Sequence, residues 1–257
     1  MLAIDLSDKR ALVIGGSRGI GAAITETLCA AGASVIFTHT GNPRHQEPLQ
    51  RLLTRIRESG GSVEAAVLDA VDSAKTTSRV DEMVAQHGKI DLLVCNVGQN
   101  LARPVAEVSD TEWAQFLDIN LTSAFYAVRA VLPHMVAANY GRIVFIGSSA
   151  AYDGGGGAID YAAAKSGLNG MMLYLTKNYA HHGIVTNTVH PCVIETDLLR
   201  ERFASEEARK TLVSQIPVGR LGQPEDVAGL VAYLVSSWGD FVCGQSLLVD
   251  GGRTQCR

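Results

Sequence analysis

The segment Ala11-Leu12-Val13-Ile14-Gly15-Gly16-Ser17-Arg18-Gly19-Ile20-Gly21 decides the fold of this 257-residue chain. Its four leading apolar residues predict a short buried strand, and apolar residues after Gly21 recur with the period of a helix. Between the two elements, glycines at 15, 19 and 21 allow a tight turn and a close approach of the backbone to a ligand. A strand, a glycine turn and a helix N-terminus in this order are typical of a site for a dinucleotide pyrophosphate.

Outward from this unit, short apolar runs alternate with helical patterns along the whole chain. Apolar residues spaced three or four apart between the runs predict helices, as at Leu49, Leu52, Leu53 and Ile56. The alternation predicts an α/β fold, a single Rossmann-type domain over residues 1–257 with a doubly wound parallel sheet of about seven strands and helices on both faces. Ligands of such a sheet bind at the carboxyl ends of its strands. The predicted strands span residues 11–14, 34–38, 62–68, 90–95, 142–146, 184–190 and 246–249.

Composition and charge exclude several other classes of protein. A net charge of -4 provides no basic surface for nucleic acid. The five cysteines are far apart and odd in number, which indicates reduced thiols, and no cluster of residues has the spacing of metal ligands. The start of the chain, MLAIDLSDKR, lacks the apolar core of a signal peptide, and no uncharged apolar run reaches the length of a membrane helix. We therefore expect a cytoplasmic protein without a metal, a membrane or a nucleic-acid partner.

The residues after the second strand bear on which dinucleotide is bound. A carboxylate there accepts a hydrogen bond from a ribose 2′-hydroxyl but repels a 2′-phosphate. The strand ends Phe37-Thr38-His39-Thr40-Gly41-Asn42, without an acidic residue, and Arg18 stands inside the glycine turn. Arg44 and His45 follow the strand, where a solvated surface position is the better interpretation. The sequence therefore favours NADP(H) over NAD(H).

A tyrosine and a lysine form the candidate catalytic pair. In Tyr161-Ala162-Ala163-Ala164-Lys165 they are four residues apart, which on a helix places both side chains on one face. A nearby ammonium favours a phenolate and so makes a tyrosine a better proton carrier at neutral pH. This spacing alone is common on exposed helices. Support comes from Ser148 and Ser149 at the end of a buried-looking strand, since a hydroxyl there can hydrogen-bond a carbonyl oxygen that the tyrosine protonates.

Further motifs accompany these residues in a fixed order. With them, nearly the whole chain resembles the short-chain dehydrogenase/reductase family, most closely its 3-oxoacyl-[acyl-carrier-protein] reductase branch. The resemblance implies an enzyme that transfers a hydride between a nicotinamide and a carbonyl or secondary alcohol. The motifs are Gly15-x-x-x-Gly19-x-Gly21, Asp69, Asn96-Val97-Gly98, Asn120 in Asp118-Ile119-Asn120-Leu121, Ser148, Tyr161-x-x-x-Lys165, Pro191, Thr196 and Asp250-Gly251-Gly252.

The resemblance also implies a role for each matching residue. Tyr161 is the general acid or base, and Ser148, chosen over Ser149 by its spacing, orients the carbonyl. Lys165 promotes ionisation of the tyrosine and holds the nicotinamide ribose, while Asn120 keeps a water in a proton relay. Asp69 either approaches the adenine or merely forms a turn. The implied cofactor-binding residues are Gly15, Ser17, Arg18, Gly19, Ile20, Gly21, Asp69, Asn96, Gly98, Tyr161, Lys165, Pro191, Ile194 and Thr196.

Two departures from the family pattern affect the predicted site. Cys192 stands where glycine is usual, in His190-Pro191-Cys192. Its side chain either lies beside the nicotinamide, which would make the enzyme sensitive to thiol reagents, or is tolerated by a slight backbone shift. The four glycines at 154–157 cannot lie inside a helix or strand, so they predict a pliable loop beside the substrate.

Residues 195–220 occupy the place of a mobile lid in the family. Their basic side chains could meet an acyl carrier protein, or they form the solvated face of a helix together with Glu201, Glu206 and Glu207. The substrate is therefore a 3-oxoacyl thioester or, alternatively, a sugar, polyol, steroid or small ketone. The segment contains Leu198, Leu199, Phe203, Arg200, Arg202, Arg209, Lys210 and Arg220.

Assembly and a rival function complete the expectations. The resemblance implies a homotetramer, with a dimer as the alternative, formed through the helix that bears Tyr161 and through the last helix and strand. A non-catalytic NADP(H)-binding redox sensor is the rival from another class, but it would not need the set of Asn120, Ser148, Tyr161 and Lys165. The apolar residues expected to serve both core and interface are Leu168, Met171, Met172, Leu175, Val227, Leu230, Val231 and Leu234.

Overall fold

Seven parallel strands form one sheet in the computed structural model, which describes residues 4–196, 199–200, 203 and 205–254. The strand order is β3-β2-β1-β4-β5-β6-β7, so the direction of winding reverses between β1 and β4. The seven predicted strands are confirmed, with ends that shift by at most two residues. The strands are β1 (Arg10–Ile14), β2 (Ser34–His39), β3 (Ser62–Val67), β4 (Leu92–Cys95), β5 (Gly141–Ile146), β6 (Ile184–Pro191) and β7 (Ser246–Val249).

Helices cover both faces of the sheet. Successive side chains along each strand point to opposite faces, and both faces are buried. Ala11 and Val13 of β1 pack in one core cluster, and Leu12 and Ile14 pack in the other. The first cluster includes α1, α2 and α9, and the second includes α3, α5 and α7. This arrangement confirms the doubly wound sheet. The helices are α1 (Gly19–Ala30), α2 (Gln46–Glu58), α3 (Ser73–His87), α4 (Asp110–Leu117), α5 (Ser123–Ala138), α6 (Ala150–Asp153), α7 (Ile159–Tyr179), α8 (Glu206–Ser214) and α9 (Pro224–Val235), and a π-helical turn, Asp118–Thr122, joins α4 to α5.

One helical stretch of the described residues, Asp110–Ala138, is long and apolar enough by length and composition to cross a membrane. It consists of α4, the π-helical turn and α5. Ala127, Val131 and Met135 on its α5 part are fully buried in the core cluster that covers the sheet. Packing within the fold therefore accounts for the apolar side of this stretch.

The apolar residues expected at assembly interfaces are used mainly by the core. Six of the eight are buried, because the faces of α7 and α9 that carry them rest on the sheet, and Met171 and Leu230 are partly buried. Other apolar side chains on α7 point outward, with Leu173 57% and Tyr174 62% exposed. Near the end of α9 and beyond it, the exposed apolar residues are Tyr233, Trp238 and Phe241.

Candidate active site

Hydrogen bonds to neighbouring strands hold the glycine turn between β1 and α1. The Gly15 N–H donates to Thr38 Oγ1 over 3.1 Å, and Asn96 Nδ2 donates to the Gly15 carbonyl over 2.7 Å. A Cβ on Gly21 would lie 2.1 Å from that carbonyl oxygen, so only glycine fits. The N-cap residue of α1, Arg18, makes no capping hydrogen bond with its side chain, and the first turn of the helix has no acidic residue. This helix end is therefore suited to an anionic ligand.

A cavity of about 340 Å³ lies in front of the turn. It opens where the winding of the sheet reverses, which is the place where doubly wound sheets bind their ligands. The cavity continues past the end of β2, where His39, Thr40, Asn42 and His45 line it. Together with the bare glycine backbone, this lining fits a nucleotide. The predicted cofactor residues that line the cavity are Gly15, Ser17, Arg18, Gly19, Ile20, Asn96, Gly98 and Thr196.

The other predicted cofactor residues lie outside this cavity lining. Gly21 is buried beneath the turn. Asp69 is exposed, and its Oδ1 accepts a hydrogen bond from the Val71 N–H over 3.3 Å, which is the turn-forming alternative. Pro191 ends β6, and Ile194 pairs with Gly222 in an isolated bridge. Pro191 adjoins the Ser148 segment, because the Ser149 N–H donates to the Pro191 carbonyl over 3.0 Å.

Tyr161 and Lys165 lie together on the first two turns of α7. The Lys165 Nζ is 5.8 Å from the centroid of the Tyr161 ring. Lys165 is only 3% exposed, and its ammonium donates to the carbonyls of Ile146 at 3.0 Å and Val97 at 3.3 Å. Burial lowers the pKa of Lys165 to about 8. The ends of β4 and β5 thus hold one buried cation beside the tyrosine.

Asn120 lies in the π-helical turn between α4 and α5, an irregularity that is frequent at functional sites. Both donors of its side-chain amide are used, by the carbonyls of Gln99 at 2.9 Å and Phe116 at 3.0 Å. Its Oδ1 accepts from the Gln99 N–H over 3.0 Å. A Cβ on Gly98 would lie 3.0 Å from Lys165 Nζ and 3.1 Å from Asn120 Oδ1. Glycine at 98 therefore allows these two side chains to approach each other, and Asn120 fixes the loop after β4.

Ser148 follows β5 and is held from behind by a histidine that the sequence reasoning missed. The Ser148 Oγ accepts from the Ala150 N–H over 3.2 Å. Its main-chain N–H lies 3.1 Å from Nδ1 of His190, a fully buried residue of β6. Burial lowers the pKa of His190, which favours the neutral ring. A Cβ on Gly147 would lie 2.4 Å from the same ring nitrogen. The signal in the sequence was a histidine within an apolar strand.

A buried ion pair adjoins Tyr161, and sequence reasoning missed it as well. Arg103 Nη2 donates to Asp160 Oδ2 over 2.6 Å, and the two side chains are 9% and 0% exposed. The guanidinium carbon lies 4.6 Å from the centroid of the Phe116 ring, and the Arg103 N–H donates to the Gly157 carbonyl over 3.0 Å. Arg103 therefore links the loop after β4 to the start of α7.

The glycine run at 154–157 forms a loop, as predicted. Gly154, Gly156 and Gly157 all have positive φ angles, of 64°, 83° and 69°. A Cβ on Gly156 would lie 3.3 Å from Cδ1 of Tyr161. Asn100 Nδ2 donates to the Gly156 carbonyl over 3.1 Å. The loop thus passes over the tyrosine ring and is anchored by the loop after β4.

A cysteine can stand at position 192 because the residue with a left-handed backbone in this turn is Val193. Val193 has a φ of 52°, which is unfavourable for a β-branched residue, whereas Cys192 has no positive φ. The Cys192 side chain is buried, with Sγ 3.2 Å from Arg253 Nη1. This geometry agrees with a tolerated small residue. In the described part of the chain, Cys29, Cys95, Cys192 and Cys243 are free thiols, and no group of three or more possible ligands could hold a metal ion.

The predicted lid at 195–220 lies partly outside the described residues, which leave out Leu198 and Arg202 among others. Its start adjoins the glycine turn, because a Cβ on Gly19 would lie 3.3 Å from Cγ2 of Thr196. Burial alone would raise the pKa of Glu195, but hydrogen bonds from Arg209 and Arg200 bring the net shift downward. Every described basic side chain of the segment has an acidic partner. The pairs are Arg200 and Arg209 with Glu195, Lys210 with Glu206, and Arg220 with Asp226.

A cavity in front of a glycine turn and a Tyr-Lys pair near the carboxyl edge of a doubly wound sheet are the features of a nicotinamide-dependent oxidoreductase. A family model described as Enoyl-(Acyl carrier protein) reductase matches residues 14–254. The 3-oxoacyl-[acyl-carrier-protein] reductase FabG of Escherichia coli (strain K12) is 37% identical over 249 residues, which are 97% of this chain and 98% of that protein.

Solved structures are similar over almost the whole length. A gluconate 5-dehydrogenase from Burkholderia cenocepacia J2315 in complex with NADP and tartrate has a TM-score of 0.90 and 31% identity, covering 98% of this chain and 97% of that one. A short-chain dehydrogenase/reductase from Serratia marcescens BCRC 10948 has a TM-score of 0.87 and 33% identity, covering 97% and 99%. The chain belongs to the short-chain dehydrogenase/reductase family, and it is an enzyme that acts on CH–OH or C=O groups with NAD(P).

Proposed function

We propose that this protein is an NADP(H)-dependent carbonyl reductase or alcohol dehydrogenase in which Tyr161 exchanges a proton with the substrate oxygen. The observation that carries the proposal is the buried Lys165 ammonium 5.8 Å from the centroid of the Tyr161 ring. A cation held in this position stabilises a phenolate, and so it allows the tyrosine to give and regain a proton near neutral pH.

The other residues of the site orient the substrate. The Ser148 hydroxyl follows β5, where it can donate a hydrogen bond to the substrate oxygen while Tyr161 transfers the proton. With the cofactor bound, Lys165 would also hold the ribose next to the nicotinamide, and Asn120 would support the water relay that returns the proton to the tyrosine. The nicotinamide supplies or accepts the hydride when the cofactor is bound. The Gly154–Gly157 loop and the lid keep water away from this reaction.

The preference for NADP(H) rests on the adenosine end of the cavity. Arg18 lines the cavity beside the end of β2, and none of the described residues in its lining is acidic. A 2′-phosphate therefore meets a cation and no repelling carboxylate. The Burkholderia gluconate 5-dehydrogenase, which holds NADP, gives independent support.

The proposed substrate is a 3-oxoacyl thioester, presented by an acyl carrier protein. The 37% identity to the Escherichia coli 3-oxoacyl-[acyl-carrier-protein] reductase over 97% of the chain supports this choice. The ion pairing of the lid argues for a different substrate, because the described basic side chains there already have acidic partners. A sugar or polyol is accordingly the second candidate, in line with the similarity to a gluconate 5-dehydrogenase.

The proposal includes a homotetramer in the cytoplasm. The outward side chains of α7, Leu173 and Tyr174, offer one apolar contact surface. Trp238 and Phe241, which follow α9, offer a second. Two different apolar surfaces on one chain suit an assembly with two kinds of two-fold interface, which is a tetramer.

Loss of NADPH absorbance tests the substrate class. The purified protein is mixed with short 3-oxoacyl thioesters, ketoses and simple diketones, each with NADPH and with NADH. We expect the highest kcat/KM with NADPH and an oxoacyl thioester. A higher kcat/KM with ketoses would contradict the 3-oxoacyl thioester as substrate and support the sugar or polyol. Faster turnover with NADH throughout would contradict the cofactor preference.

A further inference from the structure

We infer that His45 is a ligand of the 2′-phosphate of NADP(H) and that its ring takes up a proton when this phosphate binds. The inference rests on the proposed use of NADP(H) and adds a second phosphate ligand to Arg18. It also implies that the preference for NADP(H) over NAD(H) depends on protonation of the His45 ring. Sequence reasoning had favoured a solvated surface position for this histidine.

The local sequence turns His45 inward. Pro43 starts a short 3-10 turn, Pro43–His45, which follows β2, and Asn42 caps it by accepting a hydrogen bond from the Arg44 N–H over 3.0 Å. Arg44 is exposed, whereas His45 is half-buried and lines the cavity next to Thr40 and Asn42. The turn thus selects the histidine, and not its arginine neighbour, for the cavity wall.

The contact between Arg18 and His45 requires an acceptor nitrogen on the histidine ring. Arg18 Nη1 lies 3.2 Å from His45 Nε2. A guanidinium has donors but no acceptor, so Nε2 must accept this bond and carries no proton. The ring is therefore the neutral form with its proton on Nδ1. In this form Nε2 has a lone pair and cannot donate to a phosphate oxygen.

Phosphate binding reverses that requirement. A 2′-phosphate carries a charge of roughly −1.5 to −2 and has only acceptor oxygens. When it binds between Arg18 and His45, Nε2 becomes a donor either by transfer of the ring proton from Nδ1 to Nε2 or by gain of a second proton, and the negative charge of the phosphate favours the second, charged form. Histidine is the side chain that ordinarily gains one close to neutral pH. Without the anion, a protonated His45 would repel the Arg18 guanidinium, so proton uptake and phosphate binding are coupled.

The surrounding charges favour this coupling. Of the described residues that line the cavity, Arg18, His39 and His45 are the titratable ones. His39 Nδ1 accepts from the Gly41 N–H over 3.1 Å, and burial lowers the pKa of His39, so both effects make this second histidine harder to protonate. On α2, the exposed Glu47 lies 3.5 Å from Arg51 in an ion pair of its own. No carboxylate in the described cavity lining competes with the phosphate for His45.

Isothermal titration calorimetry measures the proton directly. The full-length protein is titrated with NADP⁺ and with NAD⁺ at pH 7.5 in HEPES, imidazole and Tris buffers, whose ionisation enthalpies differ. The dependence of the observed enthalpy on the buffer gives the number of protons bound. We expect uptake of a substantial fraction of a proton with NADP⁺ and none with NAD⁺, which has no 2′-phosphate.

Two variants separate His45 from the other groups. His45→Gln keeps an acceptor for Arg18 but cannot titrate, so we expect it to abolish the proton uptake and to weaken NADP⁺ binding about tenfold while NAD⁺ affinity is unchanged. His181→Gln, at an exposed site before the amino end of β6, is the matched control and should behave as the native protein.

The outcomes distinguish this inference from the proposed function. Tighter binding of NADP⁺ than NAD⁺ with equal proton uptake in the native protein and in His45→Gln would overturn the role of His45 and leave the cofactor preference intact. Equal binding of NADP⁺ and NAD⁺ by the native protein would overturn the proposed cofactor preference itself, and the role of His45 with it.

Discussion

The guanidinium of Arg103 and the carboxylate of Asp160 form a buried ion pair over 2.6 Å, and the Tyr161 N–H donates to the same carboxylate over 2.6 Å. One carboxylate thus holds both the loop after β4 and the first turn of the helix that bears the tyrosine. Buried ion pairs often add little net stability, because desolvation offsets the attraction. Because the Arg103–Asp160 pair adjoins Tyr161, we infer that it fixes the direction in which the tyrosine side chain points.

We predict that Arg103→Met lowers both stability and turnover. It leaves the Asp160 carboxylate buried without its partner, which costs about 3–5 kcal/mol of unfolding free energy. Urea unfolding gives the stability, and initial rates with NADPH give kcat and KM. We expect kcat to fall at least tenfold, with the Kd for NADPH unchanged, because the cofactor cavity is not involved.

The double variant Arg103→Met with Asp160→Leu separates positioning from stability. Two apolar side chains remove the unpaired charge, so most of the unfolding free energy should return. The kcat should stay low, since the link between the two segments is still missing. A double variant with native kcat would show that the ion pair is only structural.

Stability should depend on pH through Lys165. Its pKa in the folded protein is lowered by burial to about 8 from an ordinary value of 10.5, so between these values the unfolded chain binds more protons than the folded protein. The contribution of Lys165 to stability therefore rises as the pH increases from 8 to 10.5, by about 3 kcal/mol in total. Urea unfolding at several pH values, compared with Lys165→Met, isolates this change. Parallel pH curves for the two proteins would refute the lowered pKa of the buried Lys165 side chain.

The glycine turn gives a test with an internal control. A Cβ on Gly21 would lie 2.1 Å from the Gly15 carbonyl oxygen, so Gly21→Ala must displace the turn. We expect NADPH affinity, measured by quenching of protein fluorescence, to fall at least tenfold. Gly229 on α9 is exposed and has no atom within 4 Å of an added Cβ. Gly229→Ala should therefore leave binding unchanged and stabilise the fold by about 0.5–1 kcal/mol.

Assembly should depend on the outward face of α7. Tyr174 is 62% exposed there, beside the equally outward Leu173. We expect Tyr174→Asp to shift the tetramer towards dimers, because a charge cannot be buried unpaired in an apolar interface. Sedimentation velocity measures the masses, and Arg57→Ala, at an exposed position of α2 outside the proposed contact surfaces, is the control. A native protein that sediments as a single chain would end the tetramer proposal.

Local patterns predicted the parts of this molecule that depend on neighbours along the chain. The strands follow from short apolar runs, the cofactor turn from Gly15, Gly19 and Gly21, and the placement of Tyr161 beside Lys165 from one turn of a helix. The contacts that were missed join distant segments of the chain. Arg103 and Asp160 are 57 residues apart, and Arg18 and His45 are 27 apart, so no periodicity relates them.

The same reason explains two weaker predictions. The apolar positions on α7 and α9 could not be divided between core and interface from the sequence, because only the docked helix shows which face the sheet covers. An aspartate at position 69 suits a turn and a ligand contact equally well, so the sequence could not separate the two roles. In the structure the Val71 N–H donates to the Asp69 carboxylate, as in a turn.

The most direct test of the account is the turnover of Tyr161→Phe with NADPH and the best substrate of the panel, measured together with its Kd for NADPH. Loss of the phenol removes the proton donor but leaves the ring, the Gly154–Gly157 loop and the cavity in place. The account predicts a kcat lowered by roughly 10²–10⁴ and an unchanged Kd. A variant that reduces the substrate at the native rate would contradict the assignment of Tyr161 as the proton donor.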